Sequence, residues 1–375
     1  MLSTIFEAIL MKKKHYKPSD SALKQTRTTE EAPSSLNPRL VQRRKKQIVP
    51  TKSVDELVDG IMKQDRVALA QAITLVESAH PKHQETAQKV IEACLPHSGN
   101  SLRIGITGTP GVGKSTFIEA LGQYIIEQGH RPAILAIDPS SQLSKGSILG
   151  DKTRMEKLSQ SKDAFIRPSP TGGSLGGVAR KTRESILLCE AAKYDVILIE
   201  TVGVGQSETS VHAMVDFFLL LILPGAGDEL QGIKRGIVEM ADLIAVNKAD
   251  GEREKLAKQA KRAYTNALHL FPPKASQWIP PVHTCSALAQ AGLAEIWNSV
   301  QAFAAQTQSN GFLQQQRNEQ ALDWFRESIS QQLGKIFYEN PAVQKQLPEM
   351  EAAILDGRLS SFQAAGRLLS LFVNY

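Results

Sequence analysis

The segment from Gly108 to Ser115 carries the clearest chemical signal in the sequence. It fits the pattern G-x-x-x-x-G-K-[ST], with an apolar run, Leu102 to Thr107, before it and a helix-compatible stretch, Phe117 to Glu127, after it. In such a strand–loop–helix unit, glycines permit a tight turn whose backbone N–H groups point at phosphate oxygens. We therefore predict a phosphate loop formed by Gly108, Thr109, Pro110, Gly111, Val112, Gly113, Lys114, Ser115 and Thr116.

Two side chains of this loop have defined chemical tasks. Lys114 supplies a full positive charge for β- and γ-phosphates, and the Ser115 hydroxyl is placed to bind Mg²⁺. The N-terminus of the following helix adds a partial positive charge at the same place. The predicted ligand is a nucleoside triphosphate with its magnesium ion.

A second polar segment predicts which base is bound. Asn247, Lys248 and Asp250 form an N-K-x-D pattern directly after the apolar run Leu243 to Val246. In a loop of this kind the Asp carboxylate accepts hydrogen bonds from guanine N1–H and the exocyclic amine. Adenine lacks that amine, so ATP would leave a buried carboxylate partly unpaired, which discriminates strongly against it. The pattern therefore predicts a guanine nucleotide.

A third short segment resembles the last guanine-contacting loop of such sites. It follows the run Val282 to Thr284 and consists of Ser286, Ala287 and Leu288. Alone it has little specificity, and it supports guanine binding only together with the N-K-x-D segment.

Three acids are candidates for the metal site and for hydrolysis. Glu200 ends a run of β-branched and leucine residues, and Gly203 follows three positions later, where its N–H could sense a γ-phosphate. The usual version of this motif has Asp in the place of Glu200. Asp138 ends another apolar run and Asp151 ends a glycine-containing stretch. Because Mg²⁺ takes octahedral oxygen ligands and retains waters that need acceptors, carboxylates at such strand ends are suited to hold it.

Longer runs around these residues resemble one family, the methylmalonyl-CoA mutase-associated GTPases (MeaB/ArgK). The similarity extends from about Val54 to the C-terminus. It is carried by four runs: residues 138–141 (DPSS), 146–155 (GSILGDKTRM), 200–208 (ETVGVGQSE) and 224–234 (PGAGDELQGIK). Runs of this length are far more specific than a phosphate loop, which many nucleotide-binding families share.

The resemblance implies a metal-dependent GTPase that acts as a chaperone for a cobalamin-dependent acyl-CoA mutase, gating cofactor delivery and protecting the enzyme. It also implies a homodimer through the C-terminal helices. By position, Lys114, Asp138, Asp151 and Glu200 match the family's nucleotide- and metal-site residues, and we expect them to carry catalysis. Ser115, Asp138, Asp151 and Glu200 are then the expected metal-site residues, with GTP as substrate and GDP as product.

The order of apolar and polar segments predicts an α/β fold. Residues 102–300 alternate apolar strands with helical stretches, which is typical of a parallel sheet covered by helices. We expect a basic, disordered tail over 1–53, an N-terminal helical cap over 54–100, a P-loop GTPase domain over 101–308 and a C-terminal helical dimerisation arm over 309–375. Apolar stripes in that arm could pack on the same chain or on a second copy.

Charge and cysteine usage narrow the partners and the location. Residues 1–50 hold 11 of the 44 Lys and Arg and 4 of the 38 Asp and Glu, which leaves 33 basic against 34 acidic residues in the rest. The body of the chain is nearly neutral, so we expect no nucleic-acid partner.

The apolar stretch Leu2 to Met11 is too short to span a membrane. Three cysteines without paired spacing favour a reducing compartment, and we predict a cytoplasmic protein.

Three other functions share this fold and stay open at this point. A nickel- or cobalt-inserting maturation GTPase would need Cys-x-x-Cys or a His-rich run, and neither occurs here. A transport-linked small-molecule kinase would need an acceptor pocket, which a sequence does not reveal. A protein-targeting GTPase would carry a Met-rich domain, whereas this chain has seven methionines in all.

Overall fold

A parallel sheet organises the chain. The computed structural model describes residues 52–137, 155–168, 175–201, 207–225 and 235–373. In these ranges it has seven strands, all paired in parallel, in the order β3-β2-β4-β1-β5-β6-β7. The strands are β1 (Leu102–Gly108), β2 (Pro132–Ile137), β3 (Phe165–Arg167), β4 (Val196–Thr201), β5 (Phe217–Ile222), β6 (Leu243–Val246) and β7 (Val282–Thr284). The α/β fold class is confirmed.

Helices cover both faces of this sheet. In chain order they are α1 (Val54–Met62), α2 (Arg66–Glu77), α3 (Pro81–Cys94), α4 (Lys114–Glu127), α5 (Glu156–Gln160), α6 (Leu175–Ala191), α7 (Ser207–His212), α8 (Arg235–Met240), α9 (Glu254–Leu268), α10 (Leu293–Ser309), α11 (Phe312–Glu339), α12 (Pro341–Leu355) and α13 (Ser361–Val373). Short 3₁₀ turns lie at Leu95–His97 and Gly251–Arg253. Because the central strands are buried on both faces, their sequences are nearly continuous apolar runs.

Two apolar layers hold the helices to the sheet. On one face, α4 and α10 pack through Phe117, Leu121, Trp297 and Phe303. On the other face, α6 and α7 pack against the strands, and the helices α1–α3 contribute to the same apolar cluster. Helix α9 covers β6 and β7 at the end of the sheet. This burial of apolar area fixes the strand ends, where the candidate site lies.

The N-terminal cap is divided more finely than its sequence indicates. The apolar spacing from Val54 to Ala93 predicts helix with one break, at Pro81, but the chain also turns between α1 and α2, where Gln64 has a positive φ of 63°. Ser53 begins α1 with a capping box to Glu56. Asp65 caps α2 by accepting from Val67 N at 2.8 Å. Local capping chemistry explains the extra break, because Asp65 starts a new helix.

A buried ion pair anchors the C-terminal helices to the sheet. Arg317 of α11 donates to both carboxylate oxygens of Asp216, at 2.8 and 2.6 Å, and to the carbonyls of Gly99 and Ser101. The Asp216 side chain is completely buried and also accepts from Arg103 N at 2.8 Å. The pair joins residues 101 positions apart, so it ties α11 to the start of β5.

One face of α11 is apolar and exposed. Its side chains are 42–63 % exposed and recur at helical spacing: Leu322, Phe325, Ile329, Leu333 and Ile336. The sequence left open whether this stripe packs on its own domain, and about half of its surface stays uncovered by the described part of the chain. No helix in the described ranges is both long and apolar enough to cross a membrane.

Removal of the Arg317 anchor should destabilise the fold. Arg317→Met leaves the buried Asp216 carboxylate without its cation, so we expect a loss of about 3 kcal/mol in the free energy of unfolding. Arg326→Met is the matched control on the same helix, because its pair with Asp323 is about 70 % exposed and should cost under about 1 kcal/mol. Urea unfolding at fixed protein concentration measures both. Equal losses in the two variants would contradict the anchor.

Candidate nucleotide-binding site

The predicted phosphate loop connects β1 to α4 in a glycine-dependent conformation. Gly113 has φ +93°, and a Cβ there would lie 3.2 Å from Asn247 Nδ2. At Gly108 a Cβ would lie 2.5 Å from the carbonyl oxygen of Leu221 on β5. Helix α4 begins at Lys114, three residues before the predicted start, so Lys114, Ser115 and Thr116 form its first turn. The positive end of the helix therefore faces the loop.

The Lys114 amine lies over the phosphate loop. Its Nζ donates to Gly108 O at 2.8 Å and is 3.4 Å from Thr109 O. Burial lowers the pKa of this amine, and the Glu200 and Glu208 carboxylates partly oppose that shift. The buried Thr109 hydroxyl has no hydrogen-bond partner within the described ranges. Phosphate oxygens would accept hydrogen bonds from both groups, the Lys114 amine that here donates to backbone carbonyls and the Thr109 hydroxyl.

Ser115 and Glu200 are brought together as the sequence predicts. Strand β4 lies beside β1 with Glu200 opposite Ile106, and the Ser115 hydroxyl donates to Glu200 Oε1 at 3.0 Å. A hydroxyl and a carboxylate are the hard oxygen donors that suit Mg²⁺, so the residues present fit the ion. Asp138, Asp151 and Gly203 lie outside the described residues.

The base-reading segment is hydrogen-bonded directly to the phosphate loop. It follows β6, and Asn247 Nδ2 donates to Val112 O at 2.8 Å. Lys248 has φ 59°, and its Nζ donates to Gly111 O at 2.7 Å. The two predicted motifs, more than 130 residues apart in sequence, thus form one surface.

The third segment braces the second. The Ser286 hydroxyl donates to the Asp250 carboxylate, and Ala287 N donates to Asn247 Oδ1 at 3.2 Å. Leu288 is 83 % exposed, at the edge of this loop. Sequence reasoning gave no role to Cys285, whose Sγ lies 3.7 Å from Asn247 Oδ1, or to Glu208, which is only 1 % exposed. The sequence signal that could have identified Glu208 is its acidic side chain, which closely follows the Glu200 motif.

Comparison with known proteins places the chain in a family. The family model described as methylmalonyl Co-A mutase-associated GTPase MeaB matches residues 69–342. The chain belongs to the MeaB family. It is a GTPase and binds guanine nucleotides, in agreement with the prediction from Asn247, Lys248 and Asp250.

Individual relatives span most of the chain. GTPase ArgK of Escherichia coli is 45 % identical over 85 % of this chain and 96 % of its own length. The methylmalonic aciduria type A homolog, mitochondrial, of Mus musculus is 47 % identical over 85 % of this chain and 79 % of its own length. A crystal structure titled LAO/AO transport system kinase superposes with a TM-score of 0.68 at 39 % identity, covering 86 % of this chain and 98 % of that one.

The Asp250 carboxylate should decide the base preference of this MeaB-family protein. In Asp250→Asn an amide donor faces the guanine amine, so we expect GTP affinity to fall by about a hundredfold and xanthosine triphosphate to become the preferred ligand. Asp356→Asn, a surface substitution in an exposed ion pair, is the control and should bind GTP like the wild type. Calorimetric titration with both nucleotides measures the effect. An unchanged preference in Asp250→Asn would contradict the assigned role.

Proposed function

We propose that this protein is a Mg²⁺-dependent GTPase that acts as a chaperone for a cobalamin-dependent acyl-CoA mutase, most directly methylmalonyl-CoA mutase. In this role it controls cofactor loading and protects the enzyme. The observation that carries the proposal is the family match over residues 69–342, whose description names the mutase. We also propose a cytoplasmic location and the domain boundaries derived from the sequence.

Each site residue has its own role in GTP binding or hydrolysis. Lys114 holds the β- and γ-phosphates, while Asp250 orients the guanine. Ser115 and Glu200, with Asp138 and Asp151, would hold Mg²⁺, which when bound neutralises charge on the phosphate oxygens. The 3.0 Å contact between Ser115 and Glu200 supports this grouping.

The signal to the mutase would begin in two segments whose sequence suits them to sense the γ-phosphate, residues 146–177 and 201–210, parts of which lie outside the described residues. The described helices that follow them lead toward the C-terminal helices. Trp324 Nε1 of α11 donates to Ala213 O, just after α7, at 3.1 Å. Arg183 of α6 forms an ion pair with Glu327 of α11 and stacks over the Trp324 ring. A shift of α6 or α7 would therefore reach α11 through direct contacts.

The exposed stripe of α11 supports a homodimer through the C-terminal helices. Leu322, Ile329 and Ile336 are spaced by seven residues, and each is more than 40 % exposed. A contiguous apolar face of this kind is typical of a protein–protein interface. A second copy would cover it with its own equivalent face, as a two-fold dimer requires.

A transport-linked kinase is one alternative within this fold, since one solved relative has that title. The N-K-x-D loop, tied to the phosphate loop by Asn247 and Lys248, favours guanine over the adenine of ATP. We therefore propose the GTPase-chaperone function and give the kinase no separate role.

The metal-site acids should affect hydrolysis more than binding. Glu200→Ala, Asp138→Ala and Asp151→Ala each remove a metal-site oxygen, so we expect Mg²⁺-dependent kcat to fall by about a hundredfold while GTP affinity changes much less. Lys114→Ala should instead abolish tight binding. Glu85→Ala, in an exposed pair with Lys89, is the control and should keep full activity. Full GTPase activity in all three acid variants would contradict the metal-site assignment.

Titration with the mutase tests the proposed chaperone role. Purified methylmalonyl-CoA mutase is titrated against the protein loaded with a non-hydrolysable GTP analogue and then with GDP. We expect different affinities for the two states, and linkage requires the mutase to shift the nucleotide affinity ratio by the same factor. The Lys114→Ala variant is the control, because it should bind the mutase equally with either nucleotide present. Absence of binding in both states and an unchanged hydrolysis rate would contradict the chaperone role.

A further inference from the structure

Two buried threonine hydroxyls meet near the centre of the sheet. Thr107 is the last residue but one of β1, just before Gly108 and the phosphate loop, and Thr201 ends β4, directly after Glu200. The Thr201 hydroxyl donates to the Thr107 hydroxyl at 2.9 Å. Thr107 is 1 % exposed and Thr201 is fully buried. A hydrogen bond shielded from water in this way is costly to break, because a hydroxyl that loses its buried partner gains none from solvent.

This bond crosses the line along which the sheet opens at its carboxyl edge. The paired register of β1 and β4 ends at Ile106 and Glu200. Beyond that point β1 stays paired with β5 as far as Gly108, while β4 stays paired with β2 as far as Thr201. At this edge the sheet therefore has two halves, β3-β2-β4 and β1-β5-β6-β7. The threonine pair joins the halves one residue beyond their backbone pairing.

The two halves carry different parts of the candidate site. The phosphate loop follows β1 and the base-reading segment, residues 247–250, follows β6, so both nucleotide-binding segments belong to the half that contains β5. Glu200 lies on β4, in the other half, and β2 ends at Ile137, directly before Asp138 in the sequence. The relative position of the halves thus sets where the metal-site acids stand against a bound nucleotide, whereas guanine and phosphate contacts come from one half alone.

A second side-chain bond crosses the same line on the opposite face of the sheet. Ser115 of α4 donates to Glu200 at 3.0 Å, and neighbouring residues of a strand point to opposite faces, so Thr201 points away from α4. Ser115 and Glu200 are proposed ligands of Mg²⁺, and the ion would compete with the bond between them. The threonine pair lies on the other face and keeps its bond when those two residues turn to the metal.

We propose that Thr107 and Thr201 are positioning residues for GTP hydrolysis. Their buried bond holds the half of the sheet that bears the metal-site acids against the half that binds the nucleotide. A displacement of about 1 Å between reacting groups is enough to slow catalysis strongly. Loss of the bond should therefore lower kcat and leave GTP affinity nearly unchanged. This role rests on the proposed metal-site grouping.

The test compares kcat and the affinity for a non-hydrolysable GTP analogue in Thr201→Val, which keeps the shape of the side chain and removes its hydroxyl. We expect kcat to fall about tenfold and the dissociation constant to change by less than about twofold. Thr201→Ser returns the hydroxyl and should restore kcat to near the wild-type value. Thr307→Val is the matched control with wild-type kcat, because the Thr307 hydroxyl is also buried but bonds Phe303 O within α10.

The double variant Thr107→Val/Thr201→Val separates positioning from stability. It removes both hydroxyls, so neither is left without its partner, and most of the stability lost in Thr201→Val should return in urea unfolding. Its kcat should stay low, because the bond between the halves is still absent. Recovery of kcat together with stability would overturn the proposal, and so would wild-type kcat in Thr201→Val. Should Thr201→Val not fold, the kcat of the double variant decides by the same criterion.

The acid variants distinguish failure of this inference from failure of the site. If Glu200→Ala, Asp138→Ala and Asp151→Ala all keep full activity, the metal-site grouping is wrong and the threonine role falls with it. If those variants lose activity while Thr201→Val and the double variant keep the wild-type kcat, only the threonine role is overturned. A fall in kcat that is matched by an equal loss of GTP affinity would overturn it as well, since it would indicate general damage to the site.

Discussion

The hydrogen bonds between the base loop and the phosphate loop are the interaction on which the site depends. Asn247 and Lys248 donate to the carbonyls of Val112 and Gly111, so the distance between the base pocket and the phosphate pocket is set by the protein. Such bonds would be lost if β1 and β6 shifted relative to each other. β5 lies between them, paired to both and buried along its length. The sheet therefore acts as the rigid frame that pre-organises nucleotide binding.

The ends of the buried strands were predictable from sequence. The runs Leu243–Val246 and Val282–Thr284 appear as β6 and β7 with the expected bounds. In a parallel sheet the buried strands are continuous apolar runs, and the polar loop that ends each one is easily recognised. Since ligands bind at the carboxyl ends of such strands, this also predicted that Asn247 and Glu200 would lie near the phosphate loop.

Other features depend on contacts that a linear pattern does not contain. Helix α4 starts at Lys114 because Gly113 adopts a left-handed conformation against Asn247, whereas the sequence indicated a helix-compatible stretch only from Phe117. The Arg317–Asp216 pair joins residues whose charges looked unremarkable in their own segments. Val211 of α7 packs against β1 because Gly105 has no side chain, and no local signal links those two positions.

Direct comparison of GTP and ATP binding to the wild-type protein tests the central claim, that a loop braced on the phosphate loop reads guanine. Calorimetric titration in the presence of Mg²⁺ should give an affinity for ATP at least about a hundredfold weaker than for GTP, because Asp250 would be left partly unpaired by adenine. Equal affinities for the two nucleotides would contradict the account, since they would mean that the phosphates alone determine binding.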